Sequence, residues 1–218
     1  MNIHKAIQTR KTLKLRANPD KPLPITKGEE FKKTIKTLIE LAGKAPFHHT
    51  SHKKYQNNKL NGFEPWRFHL LDSKNCRILL KNLKDGKPVT SSKGILQMLA
   101  AADAVILGTW LPEKKRNKKK SFQTNIKNME HIAATGAAIQ NLLLAATAKG
   151  INAYWSSGGV LRKSKTKEYL GISKEEILLG AIFIFPDTYP AGITSKPGKN
   201  REHRGTPESY MQWLEVQP

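Results

Sequence analysis

Cysteine is almost absent from this sequence, since Cys76 is the only one among 218 residues. One thiol cannot build a disulfide framework or a cysteine-rich metal site. A reducing compartment is the simplest interpretation, and we expect a cytoplasmic protein. The N-terminal segment Met1–Arg16 is basic and lacks an apolar core of signal-peptide length.

Long hydrophobic runs are missing as well. A helix that spans a membrane needs at least about 18 apolar residues. The longest mostly apolar stretch, Ile132–Ala148, is interrupted by Thr135, Gln140 and Asn141. It predicts a buried helix of a soluble protein, so we expect no membrane association.

Familiar catalytic motifs are also missing. The sequence contains no G-x-S-x-G, no G-x-x-x-x-G-K-[ST] and no H-E-x-x-H. The segment Gly136–Gln140 is not a dinucleotide-binding fingerprint, because it lies inside a predicted helix and lacks the further glycines. An enzyme of this kind would depend on a bound cofactor for its chemistry. We therefore assign no catalytic side chain and no metal ligand.

Positive charge is abundant: 38 Lys and Arg against 17 Asp and Glu give a net charge of +21. A nucleic-acid-binding protein, an enzyme with an anionic cofactor and a merely lysine-rich chain would all show this excess. The even spread of the lysines favours the third explanation. The densest basic run, Lys114–Lys120, is best explained as a solvated loop, with a lid that faces an anion as the alternative.

Hydrophobic periodicity and turn residues predict an α+β fold, and residues 1–218 are expected to form one domain. The predicted helices are 1–9, 26–45, 73–83, 93–101, 126–149 and 163–170, and the predicted strands are 67–71, 104–110, 151–155 and 178–185. Ser173 and Glu176 have the spacing of a helix capping box. Pro207 predicts the start of a last helix. Because the helix 126–149 is rich in small residues, mostly Ala, we expect it to pack closely against a partner.

Four local features could contact an anionic or flat ligand. Arg10–Lys14 holds three cations and a hydroxyl within five residues, which suits a phosphate. The glycines of Trp155–Gly159 would let the backbone lie against a flat ligand. The third feature pairs Lys44–His48 with Glu64–Phe68, and the fourth is a basic loop with Lys199, Arg201 and Arg204. Each one alone is better explained as a solvated segment or an ordinary turn.

Taken together and in order, these features resemble the nitroreductase family. Members typically carry R-R-S-x-R/K, A-P-S or A-P-D-H, Q-P-W-x-F, a helix with G-A-A-x-Q-N-L-x-L-A-A, a W-x-x-G turn and a C-terminal basic loop. The matching segments here are Arg10–Lys14, Ala45–His48, Pro65–Phe68, Gly136–Ile151, Trp155–Gly159 and Ile182–Phe185. The resemblance covers almost the whole chain, and its most specific parts are the central helix and Pro65–Phe68.

The sequence departs from the family pattern at three places. Lys11, Thr12 and Leu13 differ from the usual N-terminal motif, and Glu64 stands where members usually have Gln. The stretch Phe47–Phe63 is longer than in most members and contains histidines. The sequence Ala-Pro-Phe-His at 45–48 is similar to the smaller branch of the family that carries Ala-Pro-Asp-His.

The resemblance implies an α+β sandwich, with a mostly antiparallel sheet flanked by helices, and an interlocked homodimer with FMN at the subunit interface. It implies that Arg10, with Arg201 or Arg204, holds the FMN phosphate and that Lys11 belongs to the same motif. Thr12 would add a hydroxyl donor, and Lys14 would lie near the ribityl chain or the pyrimidine edge. The partner subunit would contribute Lys44, Pro46, Phe47 and His48, and the isoalloxazine would be lined by Tyr154, Trp155, Ser156, Ser157, Gly158 and Gly159.

The implied activity is ping-pong hydride transfer from NAD(P)H through FMN to an oxidised acceptor, such as a nitroaromatic or a quinone. A dehalogenase or a flavin-fragmenting enzyme of the same fold is a further alternative. The alternative from a different class is a non-catalytic basic protein that binds nucleic acid or another anion. Against it, the sequence has no recognisable nucleic-acid motif and only 7% aromatic residues. Detection of bound flavin would distinguish a flavin oxidoreductase from a non-catalytic binding protein.

Overall fold

A computed structural model of the chain describes residues 1–25, 28–56, 59–113, 122–198, 200 and 202–216. The helices are α1 (Ile3–Thr9), α2 (Glu29–Ala42), α3 (Ser73–Lys84), α4 (Lys93–Ala101), α5 (Ile126–Ala148) and α6 (Ser164–Tyr169). The strands are β1 (Leu13–Arg16), β2 (Trp66–Asp72), β3 (Ala104–Trp110), β4 (Asn152–Ser156), β5 (Ile177–Phe185) and β6 (Thr194–Pro197). Short 3-10 helices occur at Lys53–Tyr55, Gly159–Arg162 and Pro207–Ser209.

A four-stranded antiparallel sheet forms the centre of the fold, with the strand order β2-β3-β5-β4. Every residue of β3 is buried, and so are seven of the nine in β5. These strands are apolar along their whole length because both faces of the sheet are covered. The four strands and their bounds agree with the sequence prediction to within about two residues.

Helices cover both faces of the sheet. On one face, α3 and α4 pack on the central strands, with Leu83, Leu99 and Phe183 in the core. On the other face, α2 and α5 form a second core that includes Leu38 and Ile139. The resulting sandwich confirms the α+β fold class predicted from the sequence. Among the described residues, no helix is both long and apolar enough to cross a membrane.

A separate two-stranded ribbon pairs β1 with β6. Neither strand is predicted from the sequence, because each is only four residues long: the alternation of β1 covers just Leu13 and Leu15, and every residue of β6 is exposed. The ribbon is attached to the main body by Leu15, which is fully buried in the core with α4. It holds the N-terminal basic segment beside the C-terminal loop.

Two predicted helix starts are wrong. No helix follows the Ser173–Glu176 spacing, because Glu176 directly precedes β5 and its carboxylate contacts His69 and Thr109. The last predicted helix is only the 3-10 turn Pro207–Ser209, and the described residues after it are exposed and have no regular structure. α2 begins at Glu29 with Gly28 at its N-cap, and Thr26 lies outside the described residues.

Candidate functional site

An open cleft of about 530 Å³ lies where the N-terminal segment, β4 and the C-terminal loop meet. Its lining residues are Arg10, Lys11, Thr12, Lys14, Tyr154, Pro197, Gly198, Asn200 and Arg204. Six of these are residues for which the sequence resemblance implies cofactor binding. They come from three segments far apart in the chain, and the fold brings them together.

The β1–β6 ribbon sets the shape of one wall of this cleft. The Gly198 amide donates to the Thr12 carbonyl at 3.2 Å. A Cβ at position 198 would lie 2.9 Å from the Thr12 Cβ, so this close approach requires glycine. Lys14 reaches across to β4, where its Nζ lies 4.8 Å from the centre of the Tyr154 ring.

The cleft is strongly electropositive. Four of its lining residues are Arg or Lys, and none of the described lining residues is acidic. In the ribbon, Lys14 lies directly opposite Lys196, so two like charges share one face of the ladder. Such a pair is destabilising unless an anion or solvent screens it. The arrangement therefore suits a ligand with one or more negatively charged groups.

The turn after β4 only partly joins the cleft. Tyr154 lines it, whereas residues 155–159 do not. Gly158 and Gly159 have φ angles of +98° and +50°, and a Cβ on Gly158 would lie 2.6 Å from Leu178 Cδ2. The Gly158 amide donates to Ser156 Oγ at 3.2 Å. The glycines are therefore needed for the backbone path of the turn itself.

Trp155 lies on β4 with its indole across Gly180 of the neighbouring strand. A Cβ at position 180 would overlap Trp155 Nε1 at 1.9 Å, so the ring can lie against the strand only because residue 180 is glycine. Trp155 is still 36% exposed. Because successive side chains of a strand point to opposite faces of the sheet, Trp155 lies on the other face from Tyr154 and is not part of the cleft wall in a single chain.

The segment 44–48 lies away from the cleft. The Phe47 ring packs edge-on against Trp66 with centroids 5.5 Å apart, next to Ala134 and Ala138 of α5. Lys44, Pro46 and His48 are exposed. One chain therefore does not bring this segment to the other predicted cofactor residues. Lys199, Arg201 and the run Lys114–Lys120 lie outside the described residues.

A second cavity, of about 330 Å³, lies beside β2 at the opposite edge of the sheet. Glu176 is buried there, and its Oε2 lies 2.7 Å from His69 Nε2 and accepts from Thr109 Oγ1 at 2.5 Å. Burial alone would raise the pKa of the Glu176 carboxyl, but the hydrogen bond and charge of His69, with Thr109 and Arg67, lower it below its usual value. This cluster cannot be recognised from the sequence, because its members are far apart in the chain.

Arg67 organises the loop that precedes β2. Its buried guanidinium donates to the carbonyls of Leu60, Glu64, Trp66 and Gly62 at 2.6–2.9 Å, and to that of Tyr55 at 3.4 Å. In the sequence, Arg67 is recognisable only as part of the Pro65–Phe68 motif. Among the described residues, no group of three or more His, Cys, Asp or Glu side chains could hold a metal ion.

Comparison with known proteins adds a family match. The sequence matches the family model described as "Nitroreductase family" over residues 31–184, which is more than half of the chain. That segment includes the central helix and the turn after β4, whereas the cationic ends of the cleft lie outside it. A search of curated proteins finds no match.

Solved structures match over nearly the full length of the chain. The nitroreductase-like family protein from Bacillus cereus is 21% identical, with a TM-score of 0.61, over 99% of this chain and 97% of that one. The nitroreductase CinD from Lactococcus lactis, in complex with nicotinic acid, is 15% identical, with a TM-score of 0.62, over 98% and 100%. A Desulfovibrio desulfuricans protein described as a nitroreductase, in complex with FMN, is 18% identical, with a TM-score of 0.57, over 100% and 99%. At these identities the likeness establishes the fold.

Proposed function

The chain belongs to the nitroreductase family, and on that premise we propose that it is an FMN-dependent oxidoreductase. It would take two electrons as a hydride from NAD(P)H and deliver them to an oxidised small molecule, such as a nitroaromatic or a quinone. The observation that carries this proposal is the cleft, in which four cationic side chains, the Thr12 hydroxyl and one aromatic ring meet, with no carboxylate among the described lining residues.

The residues of the cleft fit FMN. Its volume of about 530 Å³ falls within the range of about 300–1,000 Å³ that is usual for ligand pockets. A phosphate needs cationic and hydroxyl donors, which Arg10, Thr12 and Arg204 supply. A flat ring system needs an aromatic or apolar neighbour, and Tyr154 offers one. Solved relatives with bound FMN, including that from Desulfovibrio desulfuricans, support the same cofactor.

Arg10, with Arg201 or Arg204, would bind the phosphate, and Lys11 would add positive charge beside it. Thr12 would donate its hydroxyl, and Lys14 would lie near the ribityl chain or pyrimidine edge. Bound FMN would supply reversible two-electron redox chemistry. The side chains of this chain would position the reactants, limit access of water and offset negative charge, so we propose no side-chain acid or base.

We also propose a homodimer in which the partner subunit completes the site. The segment 44–48, with Lys44, Pro46, Phe47 and His48, and the turn Trp155–Gly159 do not reach the cleft within one chain. Several apolar side chains are exposed, among them Ile126 and Met129 on α5 and Trp213 in the C-terminal segment. A Cβ at Gly136 on α5 would meet nothing within 4 Å, which leaves room for a close neighbour. Burial of these surfaces would stabilise a dimer.

We also propose that the whole chain forms one domain and that the protein is cytoplasmic. The cleft draws on both ends of the chain, residues 10–14 and 204, which supports a single unit. Cys76 is buried and unpaired, and burial raises its pKa to about 12, so its thiol is poorly reactive. An unpaired thiol is compatible with a reducing compartment.

A titration of FMN onto the protein tests the cofactor assignment. Flavin fluorescence is followed for the wild type, for Arg10→Ala and for Lys165→Ala, whose exposed lysine on α6 does not line the cleft. We expect Arg10→Ala to weaken binding by about tenfold or more, the scale of a lost charge-assisted hydrogen bond, and Lys165→Ala to bind as the wild type does. Equal binding by both variants would remove Arg10 from the site, and no binding by the wild type would refute the function.

A further inference from the structure

The cavity beside β2 is a second possible ligand site, and no described residue lines both this cavity and the cleft. Its volume of about 330 Å³ lies within the range of about 300–1,000 Å³ that is usual for ligand pockets. Part of its wall comes from the stretch 47–63, through Tyr55, Lys59 and Leu60, and another part includes Glu176 at the start of β5. Because the stretch 47–63 departs from the family pattern, the cavity depends on a loop particular to this chain.

Several contacts hold this loop in place. The hydroxyl of the buried Tyr55 donates to the Pro112 carbonyl at 3.0 Å, and Lys54 Nζ lies 2.9 Å from Glu175 Oε2. All three nitrogens of the Arg67 guanidinium donate to main-chain carbonyls. A cavity that is already formed in this way loses little conformational freedom when a ligand binds.

Glu176 brings an unused hydrogen-bond acceptor to the cavity. Its contacts with His69 and Thr109 are both made by Oε2. Among the described residues, Oε1 accepts no hydrogen bond, and that atom is not sealed from solvent. Although burial opposes it, the hydrogen bond with His69 lowers the pKa of the carboxyl, so the group is ionised at neutral pH and can only accept. Oε1 is therefore available to a ligand that donates a hydrogen bond.

We propose that this cavity binds a small, neutral aromatic molecule that carries an O–H donor, such as a phenol. The ring would lie against Tyr55, Leu60 and Leu111, which line the cavity. The hydroxyl would donate to Glu176 Oε1, and a phenol is a stronger donor than an aliphatic alcohol because its O–H is more acidic. This site does not depend on the proposed function.

The charges around the cavity favour a neutral ligand. Arg67 and His69 already offset the charge of Glu176. The buried Lys167 donates to the Glu176 carbonyl at 2.6 Å and adds another positive charge nearby. An ammonium group would therefore gain little from the carboxylate, and the carboxylate itself would repel an anion. A neutral O–H group needs no further charge compensation.

Fluorine NMR tests the proposal on the full-length protein with excess FMN added. The ligand para-fluorophenol is titrated beside para-fluoroanisole, which has a similar shape but no O–H donor. We expect the wild type to broaden the phenol signal and to bind the phenol at least about tenfold more tightly than the anisole, the scale of one charge-assisted hydrogen bond. Absence of phenol binding, or equal binding of the two compounds, would overturn the proposal.

Two variants and a control locate the bound phenol. Leu60→Trp enlarges an exposed side chain that lines the cavity, so the protein should fold and its affinity for the phenol should decrease by about tenfold or more. Ile78→Trp, at an exposed position on α3 outside the cavity, should bind as the wild type does. Glu176→Gln should remove most of the preference for the phenol over the anisole, because an amide lacks the charge of the carboxylate.

Phenol binding that is unchanged in Leu60→Trp would place the ligand elsewhere, the flavin cleft included, and would overturn the assignment. The comparison of Leu60→Trp with Ile78→Trp decides this even if Glu176→Gln does not fold. Since the cavity and the cleft share no described lining residue, failure of this proposal would leave the proposed flavin chemistry intact.

Discussion

At the scale of single residues, some features of the cleft can be predicted from the sequence and others cannot. Arg10, Lys11, Thr12 and Lys14 are adjacent in the chain, so their common chemistry is visible in the sequence. The meeting of Lys14 with Tyr154 depends on the β1–β6 ribbon, and the opposition of Lys14 to Lys196 depends on its register. Neither contact follows from residue type or spacing.

Lys14 gives a prediction about electron transfer. Lys14→Met keeps an aliphatic stem on Tyr154 and removes the positive charge, so negative charge gained in the cleft on reduction would be less stabilised. We expect a lower reduction potential for the bound cofactor and a decrease in kcat by about tenfold or more, since loss of one charge-stabilising group costs about 100-fold or more in well-studied active sites. Redox titration and stopped-flow kinetics measure both quantities. An unchanged potential would exclude the role given to Lys14.

Glu176 gives a prediction about acid stability. Its carboxyl pKa is lowered in the folded protein from the usual 4.5, so the ion contributes stability above about pH 4.5 that is lost as the pH falls through the lowered value. Glu176→Gln removes the charge from a buried group and should cost about 3 kcal/mol at pH 7. It should also weaken the dependence of unfolding free energy on pH below 4.5.

The control for this experiment is Glu168→Gln, which alters a carboxylate that is 60% exposed and lies 3.4 Å from Lys174. Urea unfolding at several pH values compares the three proteins. Exposed ion pairs contribute little, so Glu168→Gln should follow the wild type. If the unfolding free energies of Glu176→Gln and the wild type changed with pH in the same way, this would contradict the account of the buried cluster.

At the scale of elements, burial decided which predictions succeeded. The bounds of α4 and β3 agree with the sequence prediction because each is apolar over a length typical of its element. The strands β1 and β6 were missed because each is only four residues long: β1 has just two apolar positions, and every residue of β6 is exposed. The capping-box spacing of Ser173 and Glu176 did not mark a helix start for a different reason: Glu176 has a tertiary partner, His69, which local spacing cannot reveal.

The turn after β4 gives a prediction about backbone conformation. Gly158→Ala would place a Cβ at a φ of +98° and 2.6 Å from Leu178, whereas Gly171→Ala would have a φ of +69° and open space. We expect Gly171→Ala to cost about 1 kcal/mol from backbone strain alone, and Gly158→Ala about 2–4 kcal/mol because the contact adds to it. Chemical denaturation of the two variants compares them. Equal losses would show that Leu178 moves aside freely.

At the scale of the whole molecule, the described part of one chain does not bring all the predicted cofactor-binding residues together. The cleft holds the cationic residues, whereas segment 44–48 packs against α5 elsewhere. Sequence resemblance could imply a partner subunit, but no residue pattern could place the two halves. The C-terminal segment is also left exposed in one chain: Trp213, Leu214 and Val216 are 87%, 80% and 91% exposed.

We therefore predict that the protein sediments at twice the chain mass of 24.5 kDa. The double variant Trp213→Ser with Leu214→Ser removes apolar area that we expect a dimer to bury, and should weaken the dimer by about tenfold or more. The matched control is Tyr169→Ser, which alters an exposed aromatic residue on α6. Sedimentation equilibrium over a range of concentrations measures the effect. A monomeric wild type would contradict the proposal that a partner completes the site.

The most direct test of the central claim is the absorbance spectrum of the purified protein, recorded before and after anaerobic addition of NADPH. We predict flavin absorbance bands, present on purification or acquired on addition of FMN, that bleach when the reductant is added and return with an oxidised acceptor. A colourless protein that takes up no FMN and oxidises neither NADPH nor NADH would contradict the assignment as a flavin oxidoreductase. Nucleic-acid and anion binding would then become the explanation for the basic cleft.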